Sequence, residues 1–163
     1  EVAANLAVAT AQAGVRTVLI DAHLRDPEQH TIFMVPNDKG LATALTSDAT
    51  PPVQATQVAN LSLLAAGPAP LTTSELLGSA RMQEVLAGLL ERSELVILDA
   101  PPIGQMADGT VLATVVDGVL LVVRAGETRR PVALEAKEVL DRVGARILGT
   151  VYVEPRRRWP GGW

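Results

Sequence analysis

The chain has 163 residues, the length of one domain, and its 48% apolar against 20% charged content excludes a disordered or fibrous protein. Having no cysteine and two histidines, His23 and His30, it excludes a disulfide framework, a Cys-ligated metal and a His-rich metal centre. A net charge of −4 argues against general nucleic-acid binding, and apolar runs such as Gly118 to Val123 fall far short of the ~20 residues of a membrane-spanning helix.

Residues 3–13 are Ala-rich and predict a helix that stops at Gly14. Val15 to Ile20 is short, β-branched and apolar at its end, the pattern of a strand buried on both faces of a parallel sheet, and it ends at Asp21. Residues 26–59 are polar and Pro/Thr-rich, an excursion from the sheet with short helical pieces over 40–45 and 52–58. Four more strand-like runs follow: Leu61 to Leu64, Leu95 to Leu98 ending at Asp99, Val119 to Val123, and Ile147 to Val153. Between them, Met82, Val85, Leu86, Leu89 and Leu90 recur at helical spacing, and Val132 to Val143 follows Pro131 as a second amphipathic helix. Alternation of this kind predicts an α/β fold, a doubly wound, mainly parallel sheet with helices on both faces. Residues 1–153 form this domain. Residues 154–163 form a tail whose Arg156, Arg157 and Arg158 are a solvated cluster or a weak contact for anionic lipid.

In open α/β sheets ligands bind beyond the carboxyl ends of the strands, where Asp21 and Asp99 sit. A carboxylate at a buried strand tip faces a desolvation cost unless a cation or donor meets it, and Mg²⁺ with a nucleotide phosphate would supply that partner. The alternative is that each Asp caps its following turn, before Ala22-His23-Leu24 and Ala100-Pro101-Pro102.

The surrounding residues carry a resemblance. Val18-Leu19-Ile20-Asp21-Ala22-His23-Leu24-Arg25-Asp26-Pro27 resembles the second Walker motif of the bacterial tyrosine kinases of capsule and exopolysaccharide synthesis, the CpsD/CapB group. Val96-Ile97-Leu98-Asp99-Ala100-Pro101-Pro102 is similar to their Walker B, and Asp108 matches a further Asp that opens the next helix. Ala65-Ala66-Gly67-Pro68 followed by Pro70, Ser74-Glu75-Leu76-Leu77 and Met82 is similar to another stretch of the family. The resemblance, over residues 2–151, implies a P-loop NTPase-like fold and transfer of the ATP γ-phosphoryl group to tyrosine, with ATP and Mg²⁺ as cofactors. It implies that Asp21 activates the tyrosine and holds water on Mg²⁺, that Asp99 binds Mg²⁺ through water, and that Arg25 helps place the substrate loop. It also implies a cytoplasmic protein at the inner face of the plasma membrane, partnered by a membrane polysaccharide co-polymerase (the chain-length regulator) and by a tyrosine-bearing substrate protein, in a homo-oligomer.

Three departures stand against the family pattern. No Gly-x-x-x-x-Gly-Lys-Ser/Thr loop is present, since neither Lys39 nor Lys137 follows a glycine. The chain is therefore expected to begin just past that loop and its strand, leaving a gap or exposed edge near the centre of the sheet. His23 stands where the family has a second Asp, and a neutral imidazole does not replace a carboxylate beside magnesium-bound phosphate. The single tyrosine, Tyr152, falls on a strand expected to be buried, so a substrate tyrosine is expected on another protein. Two other readings remain open at this point: a partitioning-type ATPase, and a catalytically degenerate interaction module of a polysaccharide export complex.

Overall fold

The computed structural model describes residues 1–68, 72–104 and 106–154. The Arg156–Arg158 cluster, Pro70, Trp159 and Trp163 lie outside the described residues. The elements in chain order are α1 (Val2–Gln12), β1 (Thr17–Asp21), α2 (Gln29–Ile32), α3 (Leu41–Thr46), β2 (Gln54–Ala55), β3 (Leu61–Leu64), α4 (Thr73–Leu77), α5 (Ala80–Leu90), β4 (Leu95–Asp99), α6 (Ala107–Ala113), β5 (Val119–Arg124), α7 (Arg130–Arg142) and β6 (Ile147–Val153).

β1 is the centre of a four-stranded sheet of order β2-β3-β1-β4. It runs parallel to β3 and to β4, and β2 pairs antiparallel with β3. Every residue of β1 is buried, and the period-2 alternation of a strand distributes them between two cores. Leu19 packs with Ala4, Ala7 and Ala11 of α1, with Phe33 and with Leu61 and Leu63. Val18 and Ile20 pack on the opposite side with Leu64, Leu41, Leu77 and the α5 residues Met82, Val85, Leu86 and Leu89. The alanines of α1 recur at i, i+3 and i+7, and their small side chains let the helix lie close against the strands. Ser79 caps α5 by accepting from the Met82 amide at 3.2 Å, which is worth about 1 kcal/mol. Truncating a fully buried residue such as Leu19 to Ala would cost about 2–5 kcal/mol.

The doubly wound α/β reading therefore holds, and so does the expected interruption. Among the described residues β4 pairs with β1 alone, and β5 pairs with β6 in a separate two-stranded parallel sheet. β4 is half-buried along its whole length, as befits a strand with one open edge.

Two expectations are corrected. Residues 52–58 hold the short strand β2 rather than a helical piece, because Gln54 and Ala55 find ladder partners in Leu63 and Ser62. β5 and β6 are not buried on both faces; their residues alternate between half-buried and exposed, and Tyr152 is 65% exposed. A two-stranded ribbon lacks the flanking strands that bury the middle of a larger sheet.

Candidate functional site

β1 and β4 each end in aspartate, and the register pairs Asp21 with Asp99 directly. The apolar strands thus deliver two carboxylates to the same end of the sheet. Asp21 is fully buried. Its Oδ2 accepts from the backbone amides of Gln29 at 2.9 Å and Glu28 at 3.1 Å, and its Oδ1 from that of His23 at 3.3 Å. These bonds fold residues 22–29 back over the strand tip, and the Ala22 amide donates to the Asp99 carbonyl at 2.9 Å. Burial raises the pKa of Asp21 above the ordinary carboxylate value, and the neighbouring Asp99 charge adds to the rise against the three amides.

Gln29 closes the site. Fully buried on α2, it donates from Nε2 to Asp99 Oδ2 at 2.5 Å, while its backbone holds Asp21. The carboxylate fixes the amide orientation, because only the NH₂ end can face it. The other end, Oε1, has no hydrogen-bond partner among the described residues. An unpaired buried acceptor costs about 1–3 kcal/mol, so a partner for this oxygen would be stabilising.

The donor set suits one hard cation. Among the described residues no three His, Cys, Asp or Glu side chains cluster as a metal cage. Mg²⁺ needs no such cage, since it retains several waters and takes one or two carboxylates. Asp21, Asp99 and the free Gln29 oxygen fit that demand.

A second cluster lies four residues further along the chain. Arg25 donates from Nε to Asp108 Oδ2 at 3.2 Å and from an η nitrogen to the Thr73 hydroxyl at 2.6 Å. Thr73 in turn donates to Asp108 Oδ2 at 2.8 Å, and the Ser74 hydroxyl donates to Asp108 Oδ1. Asp108, in the first turn of α6, is 2% exposed. Burial pushes its pKa upward, but the bonds from Ser74, Thr73 and Arg25 together with the Arg25 charge outweigh this and hold it below the ordinary value.

The structure thus brings Asp21 together with Asp99 and Arg25 together with Asp108. His23 is half-buried, and its backbone amide is part of the Asp21 turn. Arg124 pairs with Glu127 on an exposed surface and contacts neither cluster. Glu28 is exposed, whereas His30 is half-buried with a buried Nδ1 lacking a partner among the described residues. Gln29, Thr73 and Ser74 have functional-site contacts that no spacing rule in the sequence signals. The Ser74-Glu75-Leu76-Leu77 stretch points to the region without assigning a role.

This architecture, a doubly wound sheet with paired aspartates at adjacent strand tips, is that of a P-loop NTPase-like domain. No protein-family model matches the chain. It is 40% identical over 151 residues to the tyrosine-protein kinase YwqD of Bacillus subtilis (strain 168), covering 91% of this chain and 64% of that protein. Among solved structures, the chimerical protein CapA2B2 superposes with a TM-score of 0.89 at 34% identity, covering 98% of this chain and 70% of that one. The VpsO kinase domain superposes with a TM-score of 0.88 at 32% identity, covering 94% of this chain and 77% of that one. The chain belongs to the family of bacterial tyrosine-protein kinases of capsule and exopolysaccharide biosynthesis. It spans just under two thirds of the length of some curated relatives, 64% of YwqD and 66% of the tyrosine-protein kinase CpsD of Streptococcus agalactiae, and 21% of the tyrosine-protein kinase etk of Escherichia coli (strain K12).

Proposed function

We propose that this chain is the catalytic core of a protein tyrosine kinase that transfers the γ-phosphoryl group of ATP to a tyrosine hydroxyl and regulates exopolysaccharide or capsule synthesis. The observation that carries it is the register pairing of Asp21 with Asp99 at the ends of parallel strands. Bound Mg²⁺ would neutralise charge on the transferring phosphoryl group. Asp21 and Asp99 would hold the cation's water shell. Asp21 Oδ1 accepts a single bond from the His23 amide, which leaves it capacity for the tyrosine proton. The tyrosine oxygen bonds to the γ-phosphorus as the bond to the β–γ bridging oxygen breaks, ADP leaves, and the hydroxyl proton passes to Asp21. Arg25, fixed by Asp108 and Thr73 yet 42% exposed at its side chain, is placed to orient the incoming tyrosine segment.

The site is proposed to work at the inner face of the plasma membrane, beside a membrane polysaccharide co-polymerase and in a homo-oligomer. No helix among the described residues is long and apolar enough to cross a membrane. The test is incubation of the product of the complete reading frame with labelled ATP, Mg²⁺ and a tyrosine-bearing partner. Phosphotyrosine on the partner, lost in Asp99→Asn, is the expected result. Free phosphate without phosphotyrosine would turn the assignment to an ATPase. The exposure of Tyr152 adds a control: in Tyr152→Phe, labelling of the partner persists.

A further inference from the structure

We infer that Gln29 is a positioning residue of the cation site: its Nε2 fixes the Asp99 carboxylate, and its Oε1 accepts a hydrogen bond from a water of the bound cation. The inference rests on the proposed cation-dependent function and adds a residue that the sequence pattern does not single out.

Three observations meet at this side chain. Gln29 is fully buried, so Oε1 is not satisfied by bulk solvent. Both kinds of donor on the residue are engaged with the two strand-tip carboxylates, the backbone N–H with Asp21 Oδ2 and Nε2 with Asp99 Oδ2, and its carbonyl accepts from the Phe33 amide. Oε1 alone is left without a partner among the described residues. A residue placed merely to pin Asp99 would need its donor and nothing more, and the fold would be better served by a buried acceptor that is paired. A residue holding one carboxylate with its backbone and the other with its side chain, while presenting a further oxygen, matches the outer-shell partners that orient metal-binding carboxylates. Mg²⁺ and Mn²⁺, as oxygen-seeking cations that keep bound waters, are the ligand class this serves.

The experiment titrates Mn²⁺ alone into the product of the complete reading frame and follows loss of the free-ion paramagnetic resonance signal. Gln29→Leu is expected to weaken Mn²⁺ binding about tenfold, the lower end of the loss seen for outer-shell partners. Gln29→Met, close to glutamine in size but with neither the donor nor the acceptor, is expected to weaken binding to a similar extent. A glutamine that only packs leaves the Mn²⁺ affinity unchanged in both variants and lowers the urea midpoint instead. Binding by either folded variant within twofold of the unsubstituted protein overturns the inference. If Gln29→Leu does not fold, Gln29→Met decides by the same criterion. Asp99→Asn separates the two levels. If it abolishes binding while Gln29→Leu leaves it intact, the carboxylate site stands and the role of Gln29 falls; if it leaves binding unchanged, the cation reading falls as well.

Discussion

Arg25 and Asp108, 83 residues apart, form a charge-assisted pair at 3.2 Å in which the carboxylate is almost wholly buried and the guanidinium is half in solvent. The pair ties the loop after β1 to the first turn of α6, and Thr73 and Ser74 bring the start of α4 onto the same carboxylate. Three segments that share no ladder thus converge on one acceptor. Since Arg25 follows Asp21 by four residues, its direction is set by the same loop that the Asp21 carboxylate folds.

The asymmetry of exposure predicts an asymmetry of cost. Asp108→Ala removes the acceptor for Thr73, Ser74 and Arg25 at once and should destabilise by about 3 kcal/mol, within the range for breaking a buried charged network. Arg25→Ala leaves Asp108 bonded to two hydroxyls, and the exposed guanidinium is screened by water, so about 1 kcal/mol is expected. Urea unfolding of the two variants should place the Asp108 midpoint clearly lower. Equal midpoints would mean that the hydroxyl bonds contribute nothing.

The two buried aspartates should respond to pH with opposite signs. Burial, then the Asp99 charge, raises Asp21 above 3.8, so the folded chain holds that proton more tightly than the unfolded chain does. Its contribution to stability is complete below 3.8 and is lost as pH rises through the raised value. For Asp108, burial is outweighed by its donors and the Arg25 charge, and the folded value lies below 3.8. That contribution is complete above 3.8 and is lost as pH falls through the lowered value. At pH 7, Asp108→Asn is expected to lose about 1–2 kcal/mol, and Asp21→Asn loses an acceptor for backbone amides as well. Repeating the unfolding curves near pH 3 should shrink the Asp108→Asn deficit and widen that of Asp21→Asn. Deficits that move in the same direction contradict the opposite signs.

How much of this was legible in the sequence depends on how local each signal is. A run of apolar residues ending in Asp is a local pattern, and Val18 to Asp21 and Val96 to Asp99 announced both the strands and the carboxylates at their tips. Gln29 was silent because its role arises from a contact 70 residues away, across two strands, and glutamine after Pro27-Glu28 carries no spacing signature. Thr73 was silent for the same reason, with Asp108 lying 35 residues on. Tyr152 misled in the other direction. An apolar run such as Ile147 to Val153 reads as buried on both faces, yet burial is decided by the strands beside it, and among the described residues β6 pairs with β5 alone. Residues 52–58 show that a brief polar segment takes its conformation from an available ladder edge rather than from its own propensity.

The loop leading into α3 depends on backbone contact that leaves no room for a side chain. The Leu41 and Ala42 amides donate to the carbonyls of Ala65 and Ala66 at 2.7 and 2.8 Å, which draws Gly40 against the chain after β3. A Cβ on Gly40 would collide with the Ala65 carbonyl and the Gly67 amide, both backbone atoms that cannot swing aside. Gly67 itself has a φ of +77°, so the partner position is equally constrained. Gly40→Ala should therefore cost about 2–3 kcal/mol through displaced backbone. Gly88 is the contrast. It lies within α5, exposed, and an added Cβ meets no atom within 4 Å. Gly88→Ala should raise stability by about 0.5–1 kcal/mol by removing the backbone freedom of glycine from the unfolded chain. Urea midpoints of the two variants should move in opposite directions from that of the unsubstituted protein, and a shift of the same sign in both would show that the α3 loop yields where the geometry says it cannot.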